Sequence, residues 1–89
     1  MSRIPQDSMV ADDAPVSDQM TAYDKSHMLV YVRLLDAAAE GAAWDEVCSV
    51  LFGVDAAKEP LRARRMYNSH MKRAEWFSAQ GYRDLLQNA

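Results

Sequence analysis

Basic and polar side chains recur along one side of the predicted third helix, in a pattern that could contact nucleic acid. Arg65, Ser69, Lys72 and Trp76 are four, three and four residues apart, so a helix places them in one stripe, and Arg62 lies one turn earlier. Cationic side chains neutralise phosphates, and hydroxyl groups hydrogen-bond to phosphates or base edges. The candidate nucleic-acid residues are therefore Arg62, Arg65, Ser69 and Lys72.

The charge distribution argues against nucleic acid as the main partner. Residues 1–23 carry one arginine and four aspartates, whereas residues 24–89 carry nine basic and nine acidic side chains. The first segment thus holds the whole net charge of −3. Since phosphate binding usually needs a basic excess, we expect the stripe to be a solvated helix face, with Trp76 covered by Tyr82 or Leu86.

Other chemistry-bearing residues do not form a site. His27, Cys48 and His70 fall on three different predicted helices, without the spacing of a zinc site. Neighbouring acids such as Asp45 and Glu46 diverge on a helix, and the sequence has neither a glycine-rich phosphate loop nor a nucleophile elbow. We expect no metal, no cofactor and no enzymatic activity, with Cys48 packed as a small hydrophobic side chain.

The elements that position these residues are three helices. The periodicity predicts them over residues 25–40, 44–52 and 61–79, with Asp24 or Ser26 as the first cap, Gly41 and Gly53 as stops and a connector over 53–60. A short helical segment follows at 81–86. The predicted fold is all-α, a small three-helix helix-turn-helix variant with an extended turn. In the third helix the predicted inward face comprises Ala63, Met66, Tyr67, His70, Ala74 and Phe77, and the outward face Arg62, Arg65, Ser69, Lys72, Arg73 and Trp76.

The first 22 residues are predicted to be a disordered acidic tail ahead of a domain over 23–89. They contain two prolines and four aspartates and lack apolar periodicity, so they bury too little surface to offset their ordering entropy. They also lack the basic start and apolar block of a secretory signal, and no apolar run approaches the roughly 20 residues that span a bilayer. We therefore expect a cytoplasmic protein.

The first predicted helix has an unusually wide apolar surface. Its apolar residues span roughly 200°, against about 100° for an ordinary surface helix, so it must be covered on two sides. The other two helices could cover both sides, or a partner protein could cover one. The candidate partner contacts are Met28, Tyr31, Val32 and Leu35, although each could be a core residue instead.

Four sequence blocks carry a family resemblance. They are YDKSHMLVYVRLLDAAAEG (23–41), WDEVCSVLFG (44–53), RARRMYNSH (62–70) and GYRDLL (81–86). Together they resemble the domain-of-unknown-function family 2285 over residues 23–87. The resemblance implies an extended-turn helix-turn-helix, found in regulators of conjugative mobile elements, some of which are DNA-binding activators with a further N-terminal domain.

Only a short acidic tail stands where such activators have that further domain, as in the stand-alone antiactivators of this family. The resemblance therefore implies an antiactivator that binds the N-terminal domain of a transcriptional activator, and also a LuxR-type quorum-sensing regulator, and so represses transfer of a conjugative element. The alternative hypothesis is a DNA-binding helix-turn-helix regulator that uses the basic stripe. A toxin–antitoxin or phage accessory protein is a third, weaker hypothesis.

Overall fold

Helices form all the regular structure of the part of the chain that the computed structural model describes, residues 10–81. The helices are α1 (Ala22–Ser26), α2 (Met28–Ala39), α3 (Trp44–Val47) and α4 (Pro60–Trp76). A π-helical turn, Cys48–Phe52, continues α3, and a second, Phe77–Gly81, continues α4. Because no strand occurs in these residues, the predicted all-α fold class is confirmed.

The first predicted helix is divided at His27 into α1 and α2. Thr21, rather than Asp24 or Ser26, caps α1: its hydroxyl accepts from the Asp24 amide, and the Asp24 carboxylate accepts from the Thr21 amide. This reciprocal arrangement starts the helical structure earlier than predicted, because it satisfies two amide groups that would otherwise lack a partner. His27 then ends α1 and precedes α2.

The two glycine stops lie where the sequence predicts them. Gly41 and Gly53 have φ angles of +78° and +69°, a left-handed conformation that glycine adopts without a steric penalty. Gly53 ends the π-helical turn, and residues 53–59 connect it to α4, which starts at Pro60. Proline suits this position because the first helical amides have no partner within the helix. The connector is longer than the usual turn of about 3–4 residues.

Helix α4 packs against different neighbours along its length. Its first half meets α3, the following π-helical turn and the connector in a cluster of buried residues comprising Cys48, Val54, Ala63 and Met66. Its second half meets α2 in a cluster comprising Tyr31, Ala74 and Phe77. One side of α4 is therefore core, and the opposite side is left to the residues that precede α1.

A buried ion pair joins the start of α1 to the second half of α4. Nε and Nη2 of Arg73 donate to the two carboxylate oxygens of Asp24 at 3.0 and 2.6 Å, and the Tyr31 hydroxyl donates to the same carboxylate at 2.6 Å. Asp24 is 0% and Arg73 5% exposed. Although burial alone raises the pKa of Asp24, the hydrogen bonds from Arg73, Tyr31 and Thr21 lower it to about 2.

The predicted outward orientation of Arg73 is thus wrong. By helical periodicity Arg73 lies at the border between the inward and outward faces of α4. Its angular position around the helix axis therefore does not predict whether its side chain is buried. A buried carboxylate is available to it, and an arginine can form two parallel hydrogen bonds with a carboxylate. Its guanidinium also lies 3.7 Å from the centre of the Trp76 ring, which is half-buried. The predicted cover of Trp76 by Tyr82 or Leu86 lies outside the described residues.

The described residues that precede α1, part of the segment predicted to be an acidic tail over residues 1–22, contact α4. Residues 10–21 lie along α4, where Ala14 is 6% exposed and Arg73 donates to the backbone carbonyls of Ser17 and Gln19. This segment has few apolar residues of its own, and α4 supplies partners for its polar groups. Residues 1–9 and the predicted helical segment after Gly81 lie outside the described residues.

None of the helices in residues 10–81 has the length and apolar character needed to cross a bilayer.

We predict that Asp24→Asn destabilises the fold by about 3–5 kcal/mol, because it leaves the buried Arg73 guanidinium without a counter-charge. Urea unfolding followed by circular dichroism measures the change. Asp36→Asn is the matched control, since Asp36 is exposed on α2 and forms no ion pair with the described residues. Equal unfolding midpoints for the two variants would contradict the role given to the pair.

Stability should fall as the pH is lowered from about 4 to about 2. The folded-state pKa of Asp24 is about 2 against an ordinary value of 3.8, so the stabilisation is complete above pH 4 and is lost as the carboxylate becomes protonated. The loss expected from this group is about 2 kcal/mol. Urea unfolding at pH 5 and pH 2.5 measures it in the Asp13→Asn background, which removes another carboxylate with a lowered pKa. A free energy of unfolding that does not change over this range would refute the prediction.

Candidate nucleic-acid interface

The predicted basic stripe lies on the outward side of α4. Arg62, Arg65 and Lys72 are exposed and Ser69 is half-buried, while Met66 and His70 on the opposite side are buried. Exposed and buried side chains of α4 therefore recur with the period of a helix. The structure brings all four predicted nucleic-acid residues to one face, although two of them are occupied by acidic groups of the same chain.

Two aspartates of the preceding segment pair with the first two arginines of the stripe. Nε of Arg62 donates to Asp12 at 2.9 Å, and Nη1 of Arg62 donates to Glu59 at 3.1 Å. Arg65 donates two parallel hydrogen bonds to Asp13, one of them from Nε at 2.8 Å. The hydrogen bond from Arg65 lowers the pKa of Asp13, and the bonds to carboxylates raise the pKa of both arginines. All these side chains remain 44–64% exposed, so solvent screens the pairs.

The middle of the stripe also contacts the preceding segment. The Ser69 hydroxyl accepts a hydrogen bond from the Ala14 amide at 3.1 Å and donates to the Met66 carbonyl at 3.3 Å. Lys72, one turn further along, is exposed and forms no ion pair with any residue in the range 10–81. Within the stripe Lys72 is thus the cation that is not neutralised by a neighbour.

Arg64 faces a different direction from the stripe. Its guanidinium lies 4.8 Å from the centre of the Trp44 ring and 5.7 Å from that of Tyr67, within the range of a cation–π interaction. Trp44 also packs against the buried cluster of the first half of α4. The sequence signal for this contact was weak, because nothing in the spacing of Arg64 relates it to α3.

A series of hydrogen bonds connects Ala11, at the start of the preceding segment, through Tyr23 to the buried His70 of α4. The Ala11 amide donates to the Tyr23 hydroxyl at 3.0 Å, and that hydroxyl lies 2.6 Å from Nε2 of the buried His70. Nδ1 of His70 lies 2.8 Å from the Met66 carbonyl, which can only accept, so Nδ1 carries the proton and Nε2 accepts from Tyr23. Burial lowers the pKa of His70, so the imidazole is neutral near pH 7. His70 therefore fastens the segment to α4 as a neutral hydrogen-bonding side chain.

The predicted partner contacts are divided between core and surface. Tyr31 has no exposed surface, and Met28 and Leu35 are half-buried against the cluster that contains it. Val32 is 44% exposed, and its neighbour Leu29, which the sequence analysis did not single out, is 62% exposed. One strip of α2 is thus apolar and open, while the side chain of Tyr31 belongs to the core.

The residues that could have served a metal site do not meet in the described part of the chain. Between residues 10 and 81, no group of three or more histidine, cysteine, aspartate or glutamate side chains is arranged to hold an ion. Cys48 is buried and its thiol donates to the Ala63 carbonyl, and burial raises the pKa of the thiol. Cys48 is therefore a packed residue, as predicted.

Comparison with known proteins identifies one family. The family model RovC_DNA-bd, described as "T6SS, Transcription factor, DNA binding domain", matches residues 3–87. No curated protein matches the chain. The matched range includes the segment that carries Asp12 and Asp13 as well as all four helices.

Proposed function

We propose that this chain, which belongs to the RovC-type family of T6SS transcription factor DNA-binding domains, is a transcriptional regulator that contacts duplex DNA through the outward side of α4. The observation that carries the proposal is the common exposed face of Arg62, Arg65, Ser69 and Lys72. The family match moves DNA binding, the alternative of the sequence analysis, ahead of the antiactivator hypothesis.

The arrangement of helices supports this use of α4. In a helix-turn-helix the second helix lies in the major groove, and its N-terminal residues contact base edges. Here α3 precedes α4 and packs behind its first half, so the beginning of α4 is supported from one side and carries Arg62 and Arg65 on the other. We assign the cations of the stripe, Arg62, Arg65 and Lys72, to phosphates, and the Ser69 hydroxyl between them to a base edge.

An antiactivator is the second candidate, and the exposed apolar strip of α2 favours it. Leu29 and Val32 are open to solvent beside the half-buried Met28 and Leu35. An exposed apolar strip suits contact with another protein, because its burial removes hydrocarbon from water. The partner would be a transcriptional activator, with a LuxR-type regulator as a further target.

Replacing both Arg65 and Lys72 by alanine should weaken duplex binding about tenfold or more and make its dependence on salt less steep, because fewer counterions are released from the DNA. Fluorescence anisotropy with a labelled 30-base-pair duplex in 50–200 mM salt measures both effects. The matched control is the double variant Lys25→Ala and Arg33→Ala, which removes the same charge from exposed positions on α1 and α2.

Equal affinity of the two double variants would overturn the assignment of α4 as the contact surface. If the unmodified chain and all variants fail to bind in low salt, the proposal of DNA binding is wrong as a whole.

The antiactivator candidate predicts that Val32→Glu prevents association with another protein. A charge at the centre of an apolar contact is costly to bury, so affinity should fall at least about tenfold. The measurement is a pull-down of this chain with the N-terminal domain of an activator that carries a domain of the same family. Val50→Glu is the control, because Val50 is 75% exposed on the π-helical turn after α3. The candidate is excluded if neither this domain nor a LuxR-type regulator binds the unmodified chain.

A further inference from the structure

The segment of residues 11–19, which we term the strap, crosses the same side of α4 that we assign to DNA. At its beginning Asp12 and Asp13 pair with Arg62 and Arg65, and the following Ala14 amide donates to Ser69. Three of the four proposed DNA contacts are therefore occupied by groups of the same chain. The strap and a duplex cannot use these side chains at the same time.

Carboxylates are suitable substitutes for phosphates at these positions. Each presents two anionic oxygen acceptors that arginine can bind through two parallel N–H donors. Arg65 makes this two-pronged contact with Asp13, and Arg62 holds Asp12 on one side and Glu59 on the other. Consecutive aspartates on the strap thus satisfy two cations that are one helical turn apart, as consecutive phosphates of a DNA strand would.

The two ends of the strap are held with different strength. Its later part is tied to the buried Arg73 through the carbonyls of Ser17 and Gln19, at 2.5 and 2.8 Å. Its earlier part rests on ion pairs whose side chains are 44–64% exposed, together with the hydrogen bond from Ala11 to Tyr23. Exposed pairs are weak and are screened by salt, so the earlier part can leave α4 while the later part stays attached.

From this asymmetry we infer that Asp12 and Asp13 act as an intramolecular inhibitor of α4, a releasable cover that duplex DNA must displace from Arg62 and Arg65. The inference rests on the proposed DNA contact of α4 and defines its regulation. The cover reduces affinity for DNA phosphates in general, because every duplex presents them, so a duplex must offset the cost of displacing the cover through its further contacts with α4.

The test compares two variants that change the net charge equally. Asp12→Asn with Asp13→Asn removes the cover, and Asp36→Asn with Glu40→Gln neutralises two exposed acids of the α2 region that form no ion pair with the described residues. In 50 mM salt we expect the first variant to bind a fluorescein-labelled 30-base-pair duplex about three- to thirtyfold more tightly than the second. The difference should shrink at 300 mM salt, where exposed ion pairs are screened.

Backbone ¹⁵N relaxation of residues 12–14 provides a second measurement that does not involve DNA. These amides should be rigid in the unmodified chain and in the Asp36→Asn, Glu40→Gln variant, and mobile once Asp12 and Asp13 are replaced. Equal DNA affinity of the two variants, or unchanged relaxation, would overturn the cover while leaving DNA binding by α4 intact. If no variant binds the duplex in low salt, the proposed function fails, and the cover fails with it as a regulator of DNA binding.

Discussion

The buried ion pair between Asp24 and Arg73 is the constraint on which the positions of the other elements depend. Two charges withdrawn from water are tolerated only when their remaining donors and acceptors are also satisfied. Here Thr21 and Tyr31 complete the coordination of the carboxylate, and two backbone carbonyls of the strap complete that of the guanidinium. Within residues 10–81 no buried side-chain polar atom lacks a partner. The start of α1, the orientation of α2 and the path of the strap all follow from this requirement.

The same requirement explains why an acidic segment lies on the outward side of α4. Arg73 stands at the border between the core and the exposed face, so the carbonyls that complete its hydrogen bonds must approach from the exposed side. From these carbonyls toward the N-terminus, the strap follows α4 in the direction of its first turn. It therefore passes Ser69 and then Arg65. The acids at this end of the strap thus come to lie over the arginines because of a contact made several residues later.

Much of the fold could be predicted from the sequence, because helices and their ends depend on local signals. The apolar periodicity and the two glycines gave α2, α3 and α4 to within a few residues, and Cys48 was correctly assigned to the core. The contacts of Arg73 and of the strap could not be predicted in this way, since Asp24 and Arg73 are 49 positions apart and no periodicity relates them. Composition indicates how much apolar surface a segment can bury by itself. It does not indicate the contacts of the strap with α4, because these depend on side chains elsewhere in the chain.

The net charges of the two parts of the chain do not describe the surface of α4, because these parts are in contact. The acidic first segment and the neutral remainder were treated as two separate bodies, which made DNA an improbable partner. In the structure Asp12 and Asp13 are neutralised by Arg62 and Arg65, so the charge that α4 presents depends on whether the strap is in place. With the strap in place, the outward side of α4 carries both acidic and basic groups. In the proposed regulation, displacement of the strap makes Arg62 and Arg65 available to DNA phosphates.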